Sequence, residues 1–144
     1  MAAQGHQVRL TLPSSFELLD LVQVVCDRLS TIGGLDEDAT HWVSVAVRES
    51  VINAVKHGNR GDEHKCVTVE FVLAPVDHPA EFVIKVIDEG EGFDPQIIAN
   101  PLDPENVLKA SGRGIFFMRN FMDDVSIARR PEGGMVVRMS KKIA

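Results

Sequence analysis

At 144 residues, with 44% hydrophobic and 25% charged residues, the chain has an ordinary globular composition that excludes disorder, collagen-like repeats and coiled coil. A formal net charge of −6 and a pI near 5.3 oppose a nucleic-acid-binding role, because no excess of Lys or Arg is available to neutralise a phosphate backbone. No window approaches about 18 consecutive apolar residues, and the start MAAQGHQVRL lacks the basic and apolar regions of a signal peptide, so one cytoplasmic domain spanning 1–144, without membrane contact, is expected.

In chain order, Gln7 to Leu12 alternates as a first strand, which Pro13 ends. Ser14 or Ser15 then caps a helix running to about Thr31, whose stripe of Phe16, Leu19, Val22, Cys26 and Leu29 recurs every three or four residues. Gly33 and Gly34 supply its stop, and Asp36 or Asp38 caps a second helix. That helix reads VSVAVRESVINAVKHGN over Val43 to Asn59 and is apolar around most of its circumference. Val43, Val47, Val51 and Ala54 fall on one side and Val45, Ile52 and Val55 on another, with Glu49, Asn53, Lys56 and His57 between them. Such a helix belongs in a core, and a carboxylate carried into a core needs a partner, so Glu49 stands out. The residues Gly58 to Gly61 close it as a flexible turn.

Lys65 to Leu73 and Glu81 to Asp88 alternate as an antiparallel hairpin, with Val67, Val69, Phe71 and Leu73 on one inward face and Phe82, Ile84 and Val86 on the other. Glu89 to Ser111 is irregular and rich in Gly, Pro, Asp and Asn, a length typical of a functional lid. Gly114 to Phe121 returns to helical spacing, and Val125 to Ala128 with Met135 to Met139 forms a closing hairpin. Trp42 and the stripe Phe116, Phe117, Phe121 and Met122 read as core, and Cys26 and Cys66, 40 residues apart without metal-ligand spacing, as buried free thiols.

Two glycine signals flank the irregular stretch. Asp88-Glu89-Gly90-Glu91-Gly92-Phe93 puts a carboxylate at a strand end beside two glycines, able to accept from a flat donor such as an exocyclic amine while the backbone lies close. Ser111-Gly112-Arg113-Gly114 leads into a helix N-terminus, where free N–H groups and the dipole favour phosphate. Neither GxxxxGK[ST] nor GxGxxG is present.

In this order, ESVINAVKHG, DEGEGF and SGRGIFFM resemble the N, G1 and G2 boxes of the GHKL ATPase superfamily, the ATP-binding domain shared by histidine kinases, gyrase B, Hsp90 and MutL. The compact length, the form ExxxNAxxHG and the run GIFFMRNFMDDV are most similar to the anti-sigma factor serine kinases. The resemblance implies a two-layer α/β sandwich with a mixed, mostly antiparallel sheet covered on one face by three helices. It implies ATP and Mg²⁺, with Asn53 on the metal, Asp88 on the adenine amine, and Gly90 and Gly92 beneath the nucleotide. Ser111, Gly112, Arg113 and Gly114 would face the phosphates, with His57 as a helix-end cap or phosphate neighbour. Glu49 would be the catalytic base towards a serine or threonine hydroxyl. The implied partners are a sigma factor and a STAS-type anti-anti-sigma protein, and the family often forms homodimers. The rival expectation is a nucleotide-gated binding protein that sequesters a partner without phosphotransfer. The segment Asn100 to Lys109 is short and proline-bearing, a departure from the family pattern at the lid.

Overall fold

The computed structural model describes residues 5–90 and 118–143. Its elements are β1 (His6–Pro13), α1 (Leu19–Gly33), α2 (Glu37–Asn53), a π-helical turn (Ala54–Gly58), β2 (Cys66–Ala74), β3 (Glu81–Ile87), β4 (Asp124–Arg129) and β5 (Met135–Lys142). Residues 118–121 form the described part of a third helix. The five strands make one sheet in the order β1-β2-β3-β5-β4, and every described pairing is antiparallel.

Register explains the burial. Pairing Leu73 with Phe82, Phe71 with Ile84 and Val69 with Val86 aligns the apolar positions of β2 and β3 on one face, where all six are essentially inaccessible. The intervening positions form the outer face, where Glu70 lies opposite Lys85 and Lys85 opposite Arg138. Helices cover the inner face alone, so a sheet patterned for one wet side has one. On α1 the residues Leu19, Val22, Cys26 and Leu29 are buried at helical spacing, and on α2 Val43, Ala46, Val47 and Val51 are. Met118 of the third helix and Met122 just beyond its end complete the core.

The helix ends follow the expected chemistry in part. Gly34 adopts φ +90 and lets the N–H groups of Gly34 and Leu35 reach the carbonyls of Thr31 and Ser30, closing α1. Asp36 caps α2 by accepting from Ala39 N–H at 2.7 Å, with Glu37 and Asp38 complementing the dipole. Ser14 and Ser15 do not cap α1: the helix begins at Leu19, and the Ser14 hydroxyl instead donates to the Lys65 carbonyl at 2.6 Å. With the helix starting later, Phe16 leaves the apolar stripe and stands half exposed. Trp42 is also exposed rather than core, stacked on Phe121 with centroids 4.1 Å apart. Cys26 is buried and burial pushes its thiol up to about 12, whereas Cys66 at the start of β2 is only half-buried. Phe116 and Phe117 lie outside the described residues. Among the described residues no helix is long and apolar enough to cross a membrane.

Candidate functional site

Two features bring the end of α2 against the end of β3. The α-helical ladder widens after Asn53, and the Asn59 N–H reaches back five residues to the Ala54 carbonyl at 2.8 Å. The wider turn sets Gly58 directly against Asp88, the first residue beyond β3. A Cβ built on Gly58 would stand 2.3 Å from Asp88 Oδ2, so no side chain fits there. Gly90 is equally confined, its Cβ position lying 1.8 Å from the Gly58 carbonyl oxygen. From the other side Gly134, at φ +91, approaches the Asp88 carbonyl so closely that a Cβ would sit 2.0 Å from it.

Within this glycine collar Asp88 is 5% exposed. Its Oδ1 accepts from the N–H groups of Gly90 at 3.0 Å and Met135 at 3.1 Å, and its own N–H donates to the Met135 carbonyl at 3.0 Å, extending the β3–β5 ladder by one residue. Burial pushes the Asp88 carboxyl above its ordinary value of 3.8, opposed by the two N–H donors and the charges of Arg130 and Lys65. Arg130 also donates to the Asp88 carbonyl at 3.1 Å and is braced by Glu132 at 2.7 Å. Oδ2 takes no hydrogen bond among the described residues and lies against Gly58.

Asp88 also lines a small hollow of about 20 Å³, room for one water molecule. Its polar lining is Asp88, Asn53 and Ser50, and its apolar walls are Ala54, Val86, Met118, Met135 and Val137. The Asn53 Nδ2 and the Ser50 Oγ are both buried without a partner, an arrangement that costs about 1–3 kcal/mol per group unless a ligand satisfies it. A hollow of this size admits a water and not an aromatic ring, and what its lining offers a ligand is the Asp88 carboxylate, able to accept from an exocyclic amine. Asn53 carries the oxygen a hard cation would need. No group of three or more His, Cys, Asp or Glu able to hold a metal occurs among the described residues.

The predicted residues thus separate into three sets. Asn53 and Asp88 come together at the hollow, and Gly90 packs beside Asp88 against the Gly58 carbonyl without lining it. Glu49 is half-buried one helical turn before Asn53 and does not line it. His57 sits in the π turn with its ring exposed, and partial burial followed by the Lys56 charge lowers its pKa below 6.5, towards the neutral form. Gly92, Ser111, Gly112, Arg113 and Gly114 lie outside the described residues, as does most of the expected lid.

Three contributions escape periodicity. Asn59, expected in a flexible turn, is 1% exposed and its amide joins three segments. It donates to Ser14 Oγ at 2.8 Å and to the Cys66 carbonyl at 3.0 Å, and accepts from Glu89 N–H at 2.8 Å. The Glu89 carboxylate in turn accepts from Cys66 N–H. Gly134 and Arg130, from the closing hairpin, fix the far side of Asp88 across 42 or more residues of sequence. The adjacency of His57, Gly58 and Asn59 was the available signal for the first of these; a long-range backbone approach has none.

Comparison with known proteins assigns the class. A family model described as a histidine kinase-like ATPase domain matches residues 12–141, and the chain belongs to that family. Among curated relatives, the serine-protein kinase RsbW of Listeria monocytogenes serovar 1/2a is 27% identical over 149 residues, covering 99% of this chain and 91% of its own. The RsbW of Staphylococcus epidermidis is 29% identical over 150 residues with the same coverage. A crystal structure of the RsbU and RsbW domains of a Mycobacterium tuberculosis protein shares the fold, with a TM-score of 0.64 and 18% identity, over 96% of this chain and 32% of that longer one. Domain and relatives together support an ATP-binding protein serine kinase.

Proposed function

We propose that this chain, acting as one domain over 1–144, is an ATP-dependent serine/threonine kinase and anti-sigma factor. It binds a sigma factor and phosphorylates a STAS-type anti-anti-sigma protein in the cytoplasm. The observation that carries the reading is the pairing of a buried, glycine-collared carboxylate with an unpartnered Asn amide across one hollow.

In this reading Asp88 accepts the adenine amine, Gly90 lets the π turn close against the strand end that carries Asp88, beneath the nucleotide, and Asn53 turns its amide oxygen to Mg²⁺. When bound, that ion neutralises charge on the phosphoryl oxygens. Gly92, Ser111, Gly112, Arg113 and Gly114 offer donors to the phosphates, and His57 neighbours them. Glu49, on a rigid helix one turn from Asn53, accepts the proton of the partner's hydroxyl as that oxygen bonds to the γ-phosphorus. The bond from that phosphorus to the β–γ bridging oxygen breaks and ADP leaves. Metal binding and proton transfer therefore sit on successive turns of α2, and base recognition at the end of β3.

The test uses γ-labelled ATP, a STAS-domain partner and two variants. Glu49→Gln is expected to retain ATP affinity and lose about 10²–10⁴ of the phosphotransfer rate, the usual contribution of a general base. Asp88→Asn is expected to lose nucleotide binding and labelling together. If the native protein binds ATP and the partner yet transfers no label, it is a nucleotide-gated sequestering protein instead.

A further inference from the structure

Asp88 lies one residue past the end of β3, where its own strand no longer holds it. Apart from the bond to Gly90, the hydrogen bonds that fix it come from the closing hairpin. Its N–H donates to the Met135 carbonyl, its Oδ1 accepts from Met135 N–H, and its carbonyl accepts from Arg130 Nη1 at 3.1 Å. Arg130 is itself held from several directions. Its N–H donates to the Gly134 carbonyl at 2.9 Å and its carbonyl accepts from Gly133 N–H at 3.1 Å, a turn that the positive φ angles of both glycines permit. Its Nε and Nη2 donate to one Glu132 oxygen at 3.2 and 2.7 Å while Nη1 reaches Asp88. A rigid planar fork serves two acceptors at once in this way, and an ammonium on a flexible stem lacks that fixed geometry. The Arg130 side chain is only 23% exposed, which shelters the bond to Asp88 from water.

We propose that Arg130 is a positioning residue for nucleotide binding: without touching the ligand, its guanidinium anchors the Asp88 backbone, so that the carboxylate stands where the exocyclic amine of the base meets it. The inference rests on the reading of Asp88 as the acceptor for that amine. The Asp88 carbonyl belongs to the peptide that leads on to Glu89 and Gly90, and the Gly90 N–H is one of the two donors to Oδ1. Without Arg130 that peptide can tilt, and it carries the Gly90 donor with it. A recognition contact has to be held to within about 0.5 Å, a precision that its supporting residues supply. Control of nucleotide affinity therefore reaches the site from the turn of a surface hairpin, where Glu132, the brace of the fork, is 62% exposed.

The experiment measures calorimetric affinities of the full chain for ADP and for purine riboside 5′-diphosphate, which lacks the exocyclic amine. Arg130→Met keeps the apolar stem and removes the fork. It should bind ADP about tenfold more weakly than the native chain, the effect of weakening one hydrogen bond to a charged group. It should bind the amine-free analogue with native affinity, because that ligand makes no use of where the carboxylate stands. Arg130→Lys, which keeps the charge without the fork, should show the same split at smaller size and repeats the comparison should the methionine variant fold poorly. An equal loss for both ligands, the mark of general damage to the fold, or an unchanged ADP affinity in both variants overturns the role of Arg130 while leaving the site intact. Failure of the native chain to bind ADP at all overturns the site and this inference together.

Discussion

Replacing Gly58 by Ala sets two effects against each other, and their magnitudes decide the sign. In an ordinary helical position the change stabilises by about 1 kcal/mol, because alanine loses less backbone freedom on folding. Here the added methyl would lie 2.3 Å from Asp88 Oδ2, about 1 Å inside ordinary contact. The carboxyl cannot swing away without stretching the bonds that Oδ1 accepts at 3.0 and 3.1 Å from Gly90 and Met135. Each hydrogen bond to a charged group is worth about 1.5–3 kcal/mol, so losing both costs about 3–6 and leaves a net destabilisation of about 2–5 kcal/mol. Gly61→Ala is the control: nothing lies within 4 Å of its Cβ position, and only its φ of +69 opposes a side chain, at about 1 kcal/mol. Urea unfolding of the two variants measures the difference, and titration with ADP reports the site. A Gly58→Ala protein as stable as the native chain, with ADP affinity unchanged, would show that the collar does not hold Asp88 in place.

Further outcomes follow from the same contacts. Asn59→Ala leaves the Glu89 N–H and the Cys66 carbonyl without their partner and should cost about 3 kcal/mol, lowering the melting temperature by roughly 10 °C. Asp88→Asn should abolish ADP binding in calorimetry yet change stability at pH 7 by no more than about 1 kcal/mol, since the amide oxygen can still accept from Gly90 and Met135. Because the folded Asp88 pKa lies above 3.8, the native state binds its proton more tightly than the unfolded chain. Relative to Asp88→Asn, native stability should therefore fall as pH rises from 3.8 through the folded pKa, and a rise across that window in paired urea titrations would contradict the burial argument. Trp42 is the only tryptophan, and Phe121→Ala removes its stacking partner, so the emission maximum should move to longer wavelength.

The sheet was legible because period-two alternation in Lys65 to Leu73 and Glu81 to Asp88 leaves little choice of face, and the register observed is the one that superposes the two apolar rows. Asn53, Asp88 and Gly90 were legible as motif positions. What sequence could not show is why Gly58 and Gly134 must be glycine: both answers lie in the approach of a distant backbone, which no local pattern encodes. Ser14 was misassigned for a related reason. A serine after a strand-ending proline offers the local signature of a helix cap, but Asn59 and Lys65 compete for its hydroxyl and win, and α1 starts without a side-chain cap. Phe16 was placed in the core by helical spacing that the later start of α1 removes, and Trp42 by hydrophobicity, a one-way rule that says nothing about which large apolar groups remain exposed.

The Asn59 amide also bears on how the site acts. It links the segment after β1, the start of β2 and the residue following Asp88, so the end of α2 is tied to the end of β3 by bonds that exist without a nucleotide. The spacing between Asn53 and Asp88 is therefore a property of the fold, and a ligand that meets them does not have to organise it. Glu49 inherits that rigidity, because one turn of α-helix holds it at a fixed rise of about 5–6 Å along the axis from Asn53. A base positioned by the helix, and a base-recognition carboxylate positioned by the sheet, can then be altered independently. Under the proposed mechanism, that independence is why a single substitution at Glu49 is expected to separate nucleotide binding from phosphotransfer.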